Sequence, residues 1–148
     1  ANGKTFKNHI DGYNLLDYLT GKQEKCPRQV YFYFSDDGDM LGMRFDNWKV
    51  VFMEQRCQGT LNIWAEPFVK LRLPKIFNLR TDPYERADIT SNTYHEWHIR
   101  HVFIVYPMLA AVGKFVETFK DFPPVQHPDS FSPDEALSKL HASVAGGG

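Results

Sequence analysis

Cysteine is nearly missing from this chain, with only Cys26 and Cys57 among 148 residues. Their separation fits neither a zinc-site nor a redox spacing, so a disulfide-built or cysteine-metal framework is excluded. Two free thiols or one bridge both remain compatible with it. An excess of charge of one sign is missing too: 17 basic side chains face 18 acidic ones, for a net charge of −1. No field is therefore built for nucleic acid or an anionic membrane surface, and neither is expected as a partner. Long apolar runs are absent as well. The longest, Val102 to Val112, is about half the ~20 residues a spanning helix needs. The polar start Ala1-Asn2-Gly3-Lys4 lacks the apolar core of a signal peptide. These features read as a soluble chain whose compartment is left open.

What the chain has in quantity is aromatic residues, at 15%, among 43% hydrophobic and 24% charged side chains. That composition is globular, and the length suits one domain. Each ring buries roughly 150–250 Å², so a domain this small is expected to leave some rings for a contact surface.

Gly3 to Ile10 alternates like a strand but has no local partner. Asp11 to Gly21 reads as a short helix with Asp11 as N-cap, an apolar stripe of Leu15, Leu16 and Leu19, and Gly21 at the C′ position. Val30 to Phe34, Met40 to Arg44 and Trp48 to Glu54 are β-rich runs split by Ser35-Asp36-Asp37-Gly38-Asp39 and by Phe45-Asp46-Asn47. Such short connections make an antiparallel meander. Leu61 to Trp64 is a possible short strand, and Lys75 to Leu79 a last one before the turn at Asp82-Pro83. From Thr93 to Lys120, Trp97, His101, Val105, Met108, Val112, Phe115 and Phe119 recur at intervals of three and four. That is one buried helical stripe, which Pro107 should kink or break. Ser132-Pro133-Asp134-Glu135 opens a further short helix to about His141. The fold class is α+β: a small antiparallel sheet of about four strands packed against a long, proline-interrupted helix. One domain spans 1–148, with an N-terminal segment and short helix (1–21), the sheet (28–80), a helical tail (93–141) and a disordered end (142–148).

Three segments together resemble the C-terminal domain of bacterial arylsulfatases, in the alkaline-phosphatase-like superfamily. They are Ile10-Asp11-Gly12-Tyr13-Asn14-Leu15, the meander ending in Met43-Arg44-Phe45-Asp46-Asn47-Trp48-Lys49-Val50-Val51, and Ile76-Phe77-Asn78-Leu79-Arg80-Thr81-Asp82-Pro83-Tyr84-Glu85. The likeness continues through Ala87-Asp88-Ile89, the long helix and Phe122-Pro123-Pro124. It implies a parent that hydrolyses sulfate esters with a formylglycine, made within a Cys/Ser-x-Pro-x-Arg motif, and a calcium ion. Both cofactors would lie in a catalytic domain that this chain lacks.

Within the chain, no residue is expected to be catalytic, to bind a cofactor or to hold a metal. Cys26-Pro27-Arg28 lacks both spacer residues of the formylglycine motif. Asp36, Asp37 and Asp39 cluster as calcium ligands do, but no terminal glutamate follows at loop spacing, and a solvated turn is the simpler reading. His95, His98 and His101 are three apart, whereas a zinc-protease helix needs His-Glu-x-x-His. The simpler arrangement has His101 packed in the stripe and the other two facing water. No nucleophile elbow or phosphate-binding glycine loop occurs.

The expected role is a non-catalytic portion that packs on and shapes a sulfatase catalytic domain. Candidate interface residues are Phe6 and Ile10, together with Ile63, Trp64, Phe68, Leu71 and Leu73. Left bare, they should drive self-association. The alternative is a free-standing binding module that uses Leu61 to Leu73.

Overall fold

The computed structural model describes residues 2–5, 12–57, 59 and 61–123. The expected calls on Phe6, Ile10 and Asp11, the helix opened by Ser132, and the glycine tail lie outside these residues. A four-stranded sheet in the order β1-β2-β3-β4 is formed by β1 (Val30–Phe34), β2 (Met40–Phe45), β3 (Trp48–Gln55) and β4 (Phe68–Asn78), and every pairing is antiparallel. This is the expected α+β meander.

The turns explain its register. Ser35 accepts from Gly38 N–H at 3.1 Å and donates its own N–H to Asp39 at 2.9 Å, with Gly38 at φ +83°. Between β2 and β3, Phe45 faces Trp48 across a two-residue turn in which Asp46 sits at φ +52°. Aspartate is among the few side chains that tolerate that region. The resulting register lines up Phe32, Met43, Val50 and Ile76 on one face, and Tyr31, Arg44, Lys49 and Phe77 on the other.

β4 is longer than expected, because it absorbs Phe68 to Pro74. Val51 pairs with Lys75 but Met53 pairs with Lys70, so Leu71 to Pro74 face Phe52 alone and bulge outward. A bulge is where a strand accommodates proline, whose missing N–H is not needed there. Leu61–Trp64 is a 3₁₀ turn and not a strand. Local bonds win here: the Asn62 carbonyl accepts from Ala65 and Glu66 at 3.0 Å, and Gln55 Nε2 donates to the Ile63 and Glu66 carbonyls.

The first helix, α1, is shorter than expected, Leu16–Leu19. Asn14 Oδ1 accepts the Leu16 N–H at 3.0 Å. Gly21, at φ +75°, ends it as expected, with Lys22 N–H on Asp17 and Gly21 N–H on Tyr18. Its apolar stripe is not buried: Leu16 and Leu19 are exposed and Leu15 is half-buried.

After α2 (Ala87–Thr90), the long helical run is divided into α3 (Tyr94–His101), a 3₁₀ turn (Val102–Ile104), α4 (Val105–Glu117) and a closing 3₁₀ turn (Thr118–Lys120). Pro107 cannot donate to the Phe103 carbonyl and would clash with it. The break ahead of it puts Pro107 in the first turn of α4, where no intrahelical donor is required. The expected stripe lies on the sheet as far as Phe115, while Phe119 is exposed. Ile104, Val105 and Met108 join Met43, Val50 and Ile76 in the core, Trp97 stacks on Trp48 at 6.1 Å, and Phe115 stacks on Phe32 at 4.3 Å.

Candidate functional site

Two of the segments that carried the family resemblance, the β2–β3 hairpin and the turn after β4, meet in space. Lys49, from the β2–β3 hairpin, places Nζ 2.7 Å from both Glu85 oxygens. Its ammonium also lies 4.5 Å from the Tyr33 ring centre. Asp82 accepts from Arg86 N–H at 3.0 Å and Ala87 N–H at 2.8 Å, which satisfies the first donors of α2. Asn47 and Asn78 are joined by a side-chain bond of 2.8 Å, and the Leu79 N–H reaches the Asn47 carbonyl at 2.7 Å. Hairpin and Asp-Pro turn thus clasp each other.

A second polar set fastens α2 and α3 to β4. Lys75 bonds Asp88 at 2.7 Å and also pairs with Glu54. Burial alone would lower the Lys75 pKa, but hydrogen bonds and charge from the two carboxylates outweigh it, so the pKa is raised. Tyr94 lies under α3 with its hydroxyl on β4, the sheet's edge strand. That one group accepts the Ile76 N–H at 3.2 Å and donates to the Ile76 carbonyl at 3.0 Å, answering both at the sheet's edge as a neighbouring strand would. Burial pushes its phenol above the ordinary value.

The three histidines diverge. His95 is exposed, whereas His101 is half-buried and stacked on Trp97 at 4.4 Å, with Nδ1 2.7 Å from the Trp97 carbonyl. His98 does not face water as expected. It is buried against Tyr94, with the Pro74 backbone of β4 close by. Burial pulls its pKa down, and His95 adds to the effect. Asp36 to Asp39 form the turn described above, with Asp39 N–H on Ser35 Oγ at 3.0 Å. Among the described residues, no three His, Cys, Asp or Glu side chains gather as metal ligands would. Cys26 and Cys57 are both free, half-buried thiols, which settles the open alternative.

Of the candidate interface residues, Trp64 is 80% exposed, Ile63 and Leu73 are also exposed, and Phe68 and Leu71 are half-buried. The sequence reading missed a second apolar line, on the outer side of α3 and α4. Ile99, Phe103, Tyr106 and Leu109 are 69, 63, 72 and 48% exposed, and Val102 and Val116 extend the line. Their helical spacing was visible all along, but it ran beside a stronger stripe that already accounted for the helix. With both sides apolar, Tyr94–Lys120 is long and apolar enough to cross a membrane by length and composition, although its inner side is packed on the sheet.

Comparison with known proteins adds three findings. No curated protein gives a significant match. Among solved structures, a sulfatase from Pseudoalteromonas sp., PsFucS1, is similar at 24% identity and a TM-score of 0.44, over 70% of this chain. The chain spans only 19% of that protein's length. The family model described as the C-terminal region of aryl-sulfatase matches residues 26–137, from the Cys26 loop through the sheet and both long helices. A match of that extent makes this chain a member of the aryl-sulfatase C-terminal region family.

Proposed function

We propose that this chain is the non-catalytic C-terminal portion of an arylsulfatase-like sulfuric ester hydrolase, and that it packs on and shapes a catalytic domain. On this reading, calcium and formylglycine belong to that other part, and the chain's own polar clusters serve its fold. The observation that carries the proposal is the outer line of Ile99, Phe103, Tyr106 and Leu109 on a helix whose inner side is already occupied. Monomeric proteins rarely expose contiguous apolar surface beyond a few hundred Å². Each such side chain gains about 1.5–3 kcal/mol when it is fully removed from water. A family defined as a C-terminal region supplies the natural cover, the catalytic part that precedes it.

The test has two arms. The purified chain should not hydrolyse an aryl sulfate above the uncatalysed rate, with or without calcium. Co-expressed with an aryl-sulfatase catalytic portion that lacks its own C-terminal region, the wild type should copurify with it, and a Phe103→Asp, Tyr106→Asp variant of unchanged urea stability should not. Turnover by the chain alone, surviving Cys26→Ala, would defeat the non-catalytic reading. Equal capture of wild type and variant would defeat the docking surface.

A further inference from the structure

The outer strands of the sheet, β1 and β4, complete their hydrogen bonding differently. At the β4 edge, Ile76 turns both its N–H and its carbonyl outward, to the Tyr94 hydroxyl. In an antiparallel sheet, a residue that turns its groups away from one neighbouring strand turns them toward the other, and directly opposed residues alternate in this respect. Ile76 faces Val50, Val50 faces Met43 and Met43 faces Phe32. Val50 and Met43 therefore bond each other, and Phe32 turns its N–H and carbonyl away from β2. Val30 and Phe34, two residues to either side, do the same. The bond from Ser35 N–H to the Asp39 carbonyl keeps that alternation past the irregularity at Phe34.

Among the described residues, no hydrogen bond reaches these three on the open side. The strand reads Val30-Tyr31-Phe32-Tyr33-Phe34, without the charge or proline that commonly guards an edge. Its rim is apolar on both faces. Tyr31 is exposed on one. On the other, Phe34 is exposed beside Phe115, which stacks on Phe32 and is met edge-on by the exposed Phe119.

We propose that β1 pairs antiparallel with β1 of a second copy of this chain, about a two-fold axis at Phe32. The three outward residues are symmetric about that position. Phe32 meets its own equivalent and Val30 meets Phe34, each pair exchanges its N–H and carbonyl bonds, and no open group is left over. Charge selects the orientation. Arg28, over the Tyr31 ring, precedes the strand, and Asp36 and Asp37 follow it. Antiparallel copies bring these opposite charges together, whereas parallel copies would align like with like. The strand shares no residue with the outer line of α3 and α4, so this pairing and docking through the helix stand or fall separately.

Sedimentation equilibrium of the chain, from low micromolar to submillimolar concentration, tests the pairing. The mass should rise from 17.2 kDa to twice that value. As it does, amide exchange should slow at Val30, Phe32 and Phe34, while Tyr31 and Tyr33, already bonded to β2, should change little. Phe34→Lys puts a charge at the join and should weaken the dimer about tenfold or more at unchanged urea stability. Phe103→Asp, Tyr106→Asp should leave the dimer intact. The amide pattern needs no variant, and it decides the matter even where Phe34→Lys fails to fold. A mass of 17.2 kDa throughout would overturn the pairing. So would a dimer whose three amides exchange as fast as in the monomer, or one dissolved by the helix variant and not by Phe34→Lys.

Discussion

Removing one oxygen from Tyr94 should cost this fold more than the usual price of a lost hydroxyl. In Tyr94→Phe the ring keeps its packing on Phe77 at 6.0 Å and Trp97 at 6.0 Å, so little contact area is lost. What goes is the single group that answers both backbone bonding groups of Ile76, a residue with no exposed surface. A typical intramolecular hydrogen bond contributes about 1 kcal/mol net, whereas each buried partner left unsatisfied costs about 1–3 kcal/mol. Two stranded groups give an expected loss of about 2–6 kcal/mol. Urea unfolding should show a lower midpoint with an unchanged slope, and the Ile76 amide should exchange faster with solvent. Tyr106→Phe, at an exposed tyrosine on the same helical run, is the control and should stay within about 0.5 kcal/mol of wild type. A Tyr94→Phe effect no larger than that of the control would mean that water reaches the β4 edge, and the reasoning would fail.

Three further outcomes are expected. Trp48→Ala should lose about 3 kcal/mol in urea unfolding, since the ring stacks on Trp97 and His101 and bridges sheet to helix; an unchanged midpoint would refute that placement. Gly42→Ala should destabilise by about 1–3 kcal/mol, because a Cβ there would stand 2.5 Å from the Val50 carbonyl oxygen of the neighbouring strand, and backbone must move to admit it; thermal unfolding of the variant reads this directly. Burial holds His98 below its ordinary pKa, so the unfolded chain takes up that proton first as pH falls. Its contribution is therefore intact above about pH 6.5 and is lost as pH falls toward the folded value, with a slope of at most ~1.4 kcal/mol per unit. His98→Gln should flatten the urea midpoint between neutral and mildly acidic pH relative to wild type.

The meander was legible because its signals are local: alternation within each strand, and turns of Asp, Asn and Gly between them. The inner helical stripe was legible for the same reason, and Pro107 announced its own break. β4 was read too short because Pro67 and Pro74 look like boundaries when the bulge that accommodates Pro74 cannot be seen. A rule based on helix spacing chose His101 for the core and put His98 in water, because it does not see what packs against the helix from outside. The resemblance to sulfatases succeeded for a different reason. Lys49 with Glu85, and Asn47 with Asn78, hold two turns together, and a clasp needs particular residue types at particular places.

The strand order β1-β2-β3-β4 also sets a sequence of events in time. Each strand pairs with the one made just before it, so hydrogen bonding can advance as the chain grows, without waiting for distant segments. Burial cannot advance that way. The face carrying Met43, Val50 and Ile76 has no cover until Val105 and Met108 arrive. A growing chain therefore passes through an interval in which its sheet is paired but its core is open. In that interval the apolar helix, still to come, is among the described residues the segment placed to close it.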